Sequence, residues 1–76
     1  MDPEVFNLEL RKFLKKFGVT SQREIETAVE AAVARGTLRG TEVLAVRATL
    51  EIPGVLQGFR VDGEIALAQP PMPPAA

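Results

Sequence analysis

An α+β fold is predicted, with two N-terminal helices packed on a C-terminal antiparallel β-hairpin. Three observations carry that expectation. Apolar residues recur at helical spacing up to about residue 36 and at every second position from about residue 42. Gly18 follows the first helical run and Ser21 can start another, so the helical region divides in two. Pro53-Gly54 interrupts the alternating region, as a connection between two strands would.

Helix one is expected from about Pro3 to Phe17. Asp2 can accept from the free N–H groups of a first turn, and Pro3 at the first helical position sacrifices no hydrogen bond. Phe6, Leu10, Phe13, Leu14 and Phe17 fall on one face, which collects three of the four phenylalanines where a small core needs area. Lys15 and Lys16 occupy the last turn, where positive charge complements the helix dipole, and Gly18 stops the helix. Helix two is expected from about Ser21 to Arg35. Ser21 and Glu24 have the spacing of a capping box, and Ile25, Ala28, Val29, Ala32 and Val33 form one apolar stripe before Gly36 closes the helix.

Thr37 to Thr41 is a loop. From Glu42 to Ile52, Leu44, Val46, Ala48, Leu50 and Ile52 alternate with Ala45, Arg47, Thr49 and Glu51, the pattern of a half-buried strand. After a connection at 53–58, Phe59, Val61, Ile65 and Leu67 alternate with Arg60, Asp62, Glu64, Ala66 and Ala68. Asp62-Gly63 could turn the chain there and make a three-stranded meander. The alternation keeps its phase through Gly63, which favours one strand over 59–68 with a bulge at that glycine. Residues 1–69 then form a single α+β domain, and 70–76 a flexible Pro-rich tail that cannot extend a strand because proline lacks the N–H donor.

Seventy-six residues make one domain with a small core, and oligomerisation, a homodimer for example, is the supplement still open to a chain with no cysteine for disulfides or thiolate metal sites. A net charge of −1 and a pI near 5.3 give no overall attraction to nucleic acid or anionic lipid. The start Met1-Asp2-Pro3-Glu4 is acidic where a secretory signal would be basic, and no apolar run is long enough to span a bilayer. A cytoplasmic location without membrane association is the expectation.

Catalysis is not expected. The chain has no His, Cys, Tyr or Trp, and its one serine is explained by the capping box. Glu24 and Glu26 stand two apart on a helix and point away from one another, so they cannot share a metal or proton. Asp62 and Glu64 would share a strand face and could hold a hard cation with backbone oxygens, but a solvated strand face is the favoured account of them. No glycine cluster has phosphate-loop spacing, so no catalytic, metal or cofactor residue is assigned. A soluble protein-interaction or regulatory module with an unknown protein partner is the leading functional reading. The candidate partner-binding residues are Leu8, Arg11, Lys12, Lys15 and Lys16, an apolar side chain among cations that would suit an acidic partner.

The alternative is a winged-helix-like nucleic-acid binder, because helix, Gly18-Val19-Thr20 turn, helix and strand pair follow in the right order. The detail argues against it. The would-be recognition helix carries Glu24, Glu26 and Glu30, which would face phosphates.

Phe6-Asn7, the run RKFLKK from Arg11 to Lys16, the run GVTSQREIE from Gly18 to Glu26, and more weakly Asp62 to Ile65 resemble a small family of uncharacterised bacterial proteins of about this length. The resemblance covers the helical region and an echo in the last strand, and its specific part is GVTSQREIE. It implies a fold and transfers no site residue, and the tail after Gln69 lies outside it.

Overall fold

The computed structural model describes residues 1–69, so the Pro-rich segment 70–76 lies outside the described residues. The chain divides into two compact units, Met1–Thr37 and Leu38 onward, each built differently.

The first unit is one helix, α1, running Pro3–Ala34. Its start follows the sequence closely. Asp2 is extended, and its Oδ1 accepts from the backbone N–H groups of Glu4 at 3.0 Å and Val5 at 3.2 Å, while the N–H of Phe6 donates to the carbonyl of Asp2. Its end is equally well defined. Gly36 takes φ +82°, its N–H donates to the carbonyl of Val33, and the N–H of Thr37 donates to that of Ala32. This pair of bonds is the Schellman closure, and it needs a residue that enters the left-handed region without strain.

Between those ends the expected two helices are one. Gly18, Val19 and Thr20 form no turn, Gly18 has no positive φ, and Ser21 lies in the helix interior instead of capping a new start with Glu24. The physical reason is that the apolar stripe never loses phase. Phe6, Phe17 and Ala28 recur every eleven residues, as do Leu10, Ser21 and Ala32, and eleven residues come close to three helical turns. Glycine in a helix costs about 0.5–1 kcal/mol relative to alanine, whereas opening a turn forfeits several i→i−4 hydrogen bonds and exposes four groups at each new end. With no proline between Pro3 and Pro53 to force a break, continuation wins.

The second unit is an antiparallel pair, β1 (Val43–Ile52) and β2 (Leu56–Ala66). The predicted alternation of β1 is present: Leu44, Val46, Ala48 and Leu50 are half-buried, and Val43, Ala45, Arg47 and Thr49 are exposed. The register sets Leu44 against Ile65, Ala48 against Val61 and Leu50 against Phe59, which puts the larger apolar residues of both strands on one face. On the other face Arg47 stands against Asp62. The strands join through Ile52-Pro53-Gly54-Val55, where the N–H of Val55 donates to the carbonyl of Ile52 at 2.9 Å and Gly54 has φ +79°. Proline second and a positive-φ glycine third are the requirements of a type II turn.

Asp62-Gly63 does not turn the chain, so the single-strand reading of that region holds, but the bulge expected at Gly63 is elsewhere. Gly63 pairs regularly with Val46. The irregularity lies between the pairs Leu50–Phe59 and Ile52–Leu56, where Glu51 alone opposes Gln57 and Gly58. Gly58 has φ +68°, as a bulge glycine requires. β2 therefore starts at Leu56, inside the stretch expected to be connection.

Neither unit closes a core of its own. None of the described residues is fully buried. Phe6, Leu10, Phe13, Leu14 and Phe17 retain between 41 and 53% of their surface, although they form the continuous face the sequence predicts.

Candidate functional site

At about 100° per residue, α1 sorts its side chains into two faces. One carries the apolar stripe: Phe6, Leu10, Phe13, Leu14 and Phe17 in the first half, then Ser21, Ile25, Ala28 and Ala32 in the second. Phe13 and Phe17, one turn apart, stack with ring centroids 6.3 Å apart and planes 28° from parallel. Ser21, Val29 and Ala32 are half-buried, and the rest of the stripe is open.

The face away from this stripe carries most of the candidate partner-binding residues. Leu8, Lys12 and Lys15 follow at four- and three-residue steps, Arg11 flanks them, and Lys16 lies at the margin toward Phe13. The helix thus brings Leu8, Arg11, Lys12 and Lys15 together, with Lys16 beside them. Lys12 Nζ lies 3.5 Å from Glu9 Oε1, an exposed i,i+3 pair of the kind worth about 0–1 kcal/mol.

Continuity of the helix adds a residue that sequence reasoning missed. A turn at Gly18-Val19-Thr20 would take Val19 off the helix, but in an unbroken helix it follows Lys15 by four and extends the row Leu8, Lys12, Lys15. Leu8 is 60% and Val19 46% exposed, so this face has two apolar ends joined by lysine stems. A shallow depression bounded by Glu9, Lys12, Phe13, Lys15, Lys16 and Val19 opens onto solvent here. The signal in the sequence was the spacing itself, obscured by Gly18.

Glu42 is the second residue that sequence reasoning passed over. Its carboxylate accepts from three successive backbone N–H groups, Arg39 at 2.8 Å, Gly40 at 2.9 Å and Thr41 at 3.1 Å, and Gly40 reaches φ +99° to aim them. The Arg39 N–H above all holds this carboxyl below its ordinary range, outweighing the rise from partial burial, with Gly40, Thr41 and the residue's own N–H adding to the effect. Glu42 also accepts at its carbonyl from the N–H of Leu67, so one residue fixes the loop and closes the open end of the hairpin. Its role is architectural.

The remaining chemistry is sparse. Asp62 is engaged by Arg60 Nε at 3.1 Å and Arg47 Nε at 3.5 Å, so it does not present a free oxygen pair with Glu64 to a cation. Among the described residues, no three His, Cys, Asp or Glu side chains converge as metal ligands would, and no helix is long and apolar enough to cross a membrane. The loss of the 18–20 turn also removes the helix-turn-helix on which the winged-helix reading stood. What the surfaces offer is contact area, in an apolar stripe and a smaller basic-apolar row.

Comparison with curated proteins and with solved structures finds no match. The family of unknown function DUF6494 does match, over residues 1–68, a span that takes in α1, the Glu42 loop and the whole hairpin. On that match the chain belongs to the DUF6494 family.

Proposed function

We propose that this protein is an interaction module that acts without catalysis, its α1 stripe being the surface on which a protein partner docks. The observation that carries the reading is the exposure of Phe6, Leu10, Phe13, Leu14 and Phe17 in a row along one helix. Isolated exposed apolar residues are ordinary, but a contiguous apolar stripe marks a contact surface. Helices also draw most of their stability from packing such a face against something. Leu8, Arg11, Lys12, Lys15 and Lys16, extended by Val19, form a second contact patch suited to an acidic surface.

Affinity capture from the native organism tests this when the intact chain is compared with two variants. Phe13→Ser with Phe17→Ser interrupts the stripe, and Lys12→Glu with Lys15→Glu reverses the basic row. A partner retained by the intact chain and lost with the stripe variant supports the reading. Capture that neither variant alters removes it.

A further inference from the structure

We infer that the occupant of the α1 stripe is the same stripe of a second copy, laid antiparallel, with the two-fold axis passing near Thr20 and Ser21. The inference rests on the interaction-module reading and names its partner.

Three properties of α1 point to this arrangement. The first is size. The front half of the stripe is bulky, with three phenylalanines and two leucines at Phe6, Leu10, Phe13, Leu14 and Phe17, and the rear half is smaller and without an aromatic, with Ser21, Ala28, Val29, Ala31, Ala32 and Val33 around Ile25. Laid antiparallel, the bulky half of each copy meets the smaller half of the other, and Leu10 and Phe13 fall near Ala31 and Ala28. Laid parallel, phenylalanine would face phenylalanine at one end and alanine would face alanine at the other, crowding the first and leaving gaps in the second.

The second is charge. Arg11, Lys12, Lys15 and Lys16 form a basic stretch and Glu24, Glu26 and Glu30 an acidic one. Most of these charges lie on the face away from the seam, but Lys16 and Glu24 stand toward one edge of the stripe, and the register that centres on Thr20 and Ser21 sets Lys16 of each copy level with Glu24 of the other. The same antiparallel alignment opposes the two helix dipoles favourably.

The third is area. A helix of this length is about 48 Å long and roughly 10–12 Å across, so a seam along it covers roughly 500–600 Å² of each copy. The pair then buries roughly 1,000–1,200 Å², which reaches the lower range of specific interfaces. The eleven-residue repeat keeps that seam nearly parallel to the helix axis over the full length.

The natural absence of cysteine makes cross-linking a clean test of both association and direction. Three single-cysteine chains serve: Ser21→Cys at the axis, and Leu10→Cys and Ala31→Cys on either side of it. Sedimentation of the intact chain over a concentration series should show dimers at high micromolar concentration. Under mild oxidation the Ser21→Cys chain should form a disulfide-linked dimer and the Leu10→Cys chain should not, while a mixture of Leu10→Cys and Ala31→Cys chains should cross-link to each other. Efficient cross-linking of Leu10→Cys to itself overturns the antiparallel assignment. An intact chain that stays monomeric overturns the second copy as occupant; if that monomer still captures a different protein through its stripe, the interaction-module reading survives, and if it captures nothing, both fall.

Discussion

Replacing Gly18 by alanine separates one helix from two by the sign of its effect. In α1 Gly18 is an interior residue without positive φ, and a β-carbon built on it meets no atom within 4 Å. Alanine therefore adds no clash and removes the conformational freedom that glycine has in the unfolded chain, a gain of about 0.8–1 kcal/mol. For a chain of this size that corresponds to a rise in Tm of roughly 3–8 °C. Had Gly18 closed one helix in the left-handed conformation, alanine would cost about 1–2 kcal/mol and Tm would fall by a comparable amount. Thermal unfolding followed by far-UV circular dichroism measures the change, at one fixed protein concentration because association makes Tm concentration-dependent. A fall in Tm, or a loss of helical signal before unfolding, would refute the continuous helix.

Other substitutions probe the remaining joints. Asp2→Ala removes the acceptor for the N–H groups of Glu4 and Val5 and should lower stability by about 1 kcal/mol, seen in the same unfolding measurement, whereas Asp2→Asn should change it little. Gly58→Ala forces a side chain into φ +68° at the bulge and should cost about 1–2 kcal/mol, while Gly63→Ala, at a regular pair, should cost less; equal losses would misplace the bulge. Glu42 has a carboxyl pKa lowered on folding, so its contribution is fully present above the unfolded value near 4.5 and is lost as pH falls through the folded value. The protection of the hairpin amides, taken against the intrinsic exchange rate at each pH, should accordingly fall in that acidic window in the intact chain and show a flatter profile in Glu42→Gln.

The relation between sequence and fold divides by the range of the forces involved. Asp2 with Pro3, Gly36, the alternation from Val43 to Leu50 and Pro53-Gly54 are local devices, each acting within a few residues, and each is present where the sequence places it, whereas Ile52, expected on the half-buried side, is exposed beside the turn. Gly18 and Ser21 mislead because both stop-and-start signals are real in isolation. Each is worth about 1 kcal/mol and is outweighed by a stripe whose phase extends through both halves of the helix. The bulge at Gln57-Gly58 was illegible for a related reason: Asp62-Gly63 carries the stronger local turn signal, but register is decided by which apolar residues share a face, and Leu50 with Phe59 decides it. Leu8, Lys12 and Lys15 were legible as a surface, and Val19 joined them only once the helix ran through Gly18.

Amide hydrogen exchange across α1, measured at low and at high protein concentration, bears on the central claim most directly, since an unbroken helix with an open stripe should be ordered by its partner. Protection that continues without a gap from Phe17 through Ile25 and increases along the whole stripe with concentration is the predicted result. Fast exchange confined to Gly18–Ser21, or protection that is indifferent to concentration, would contradict it.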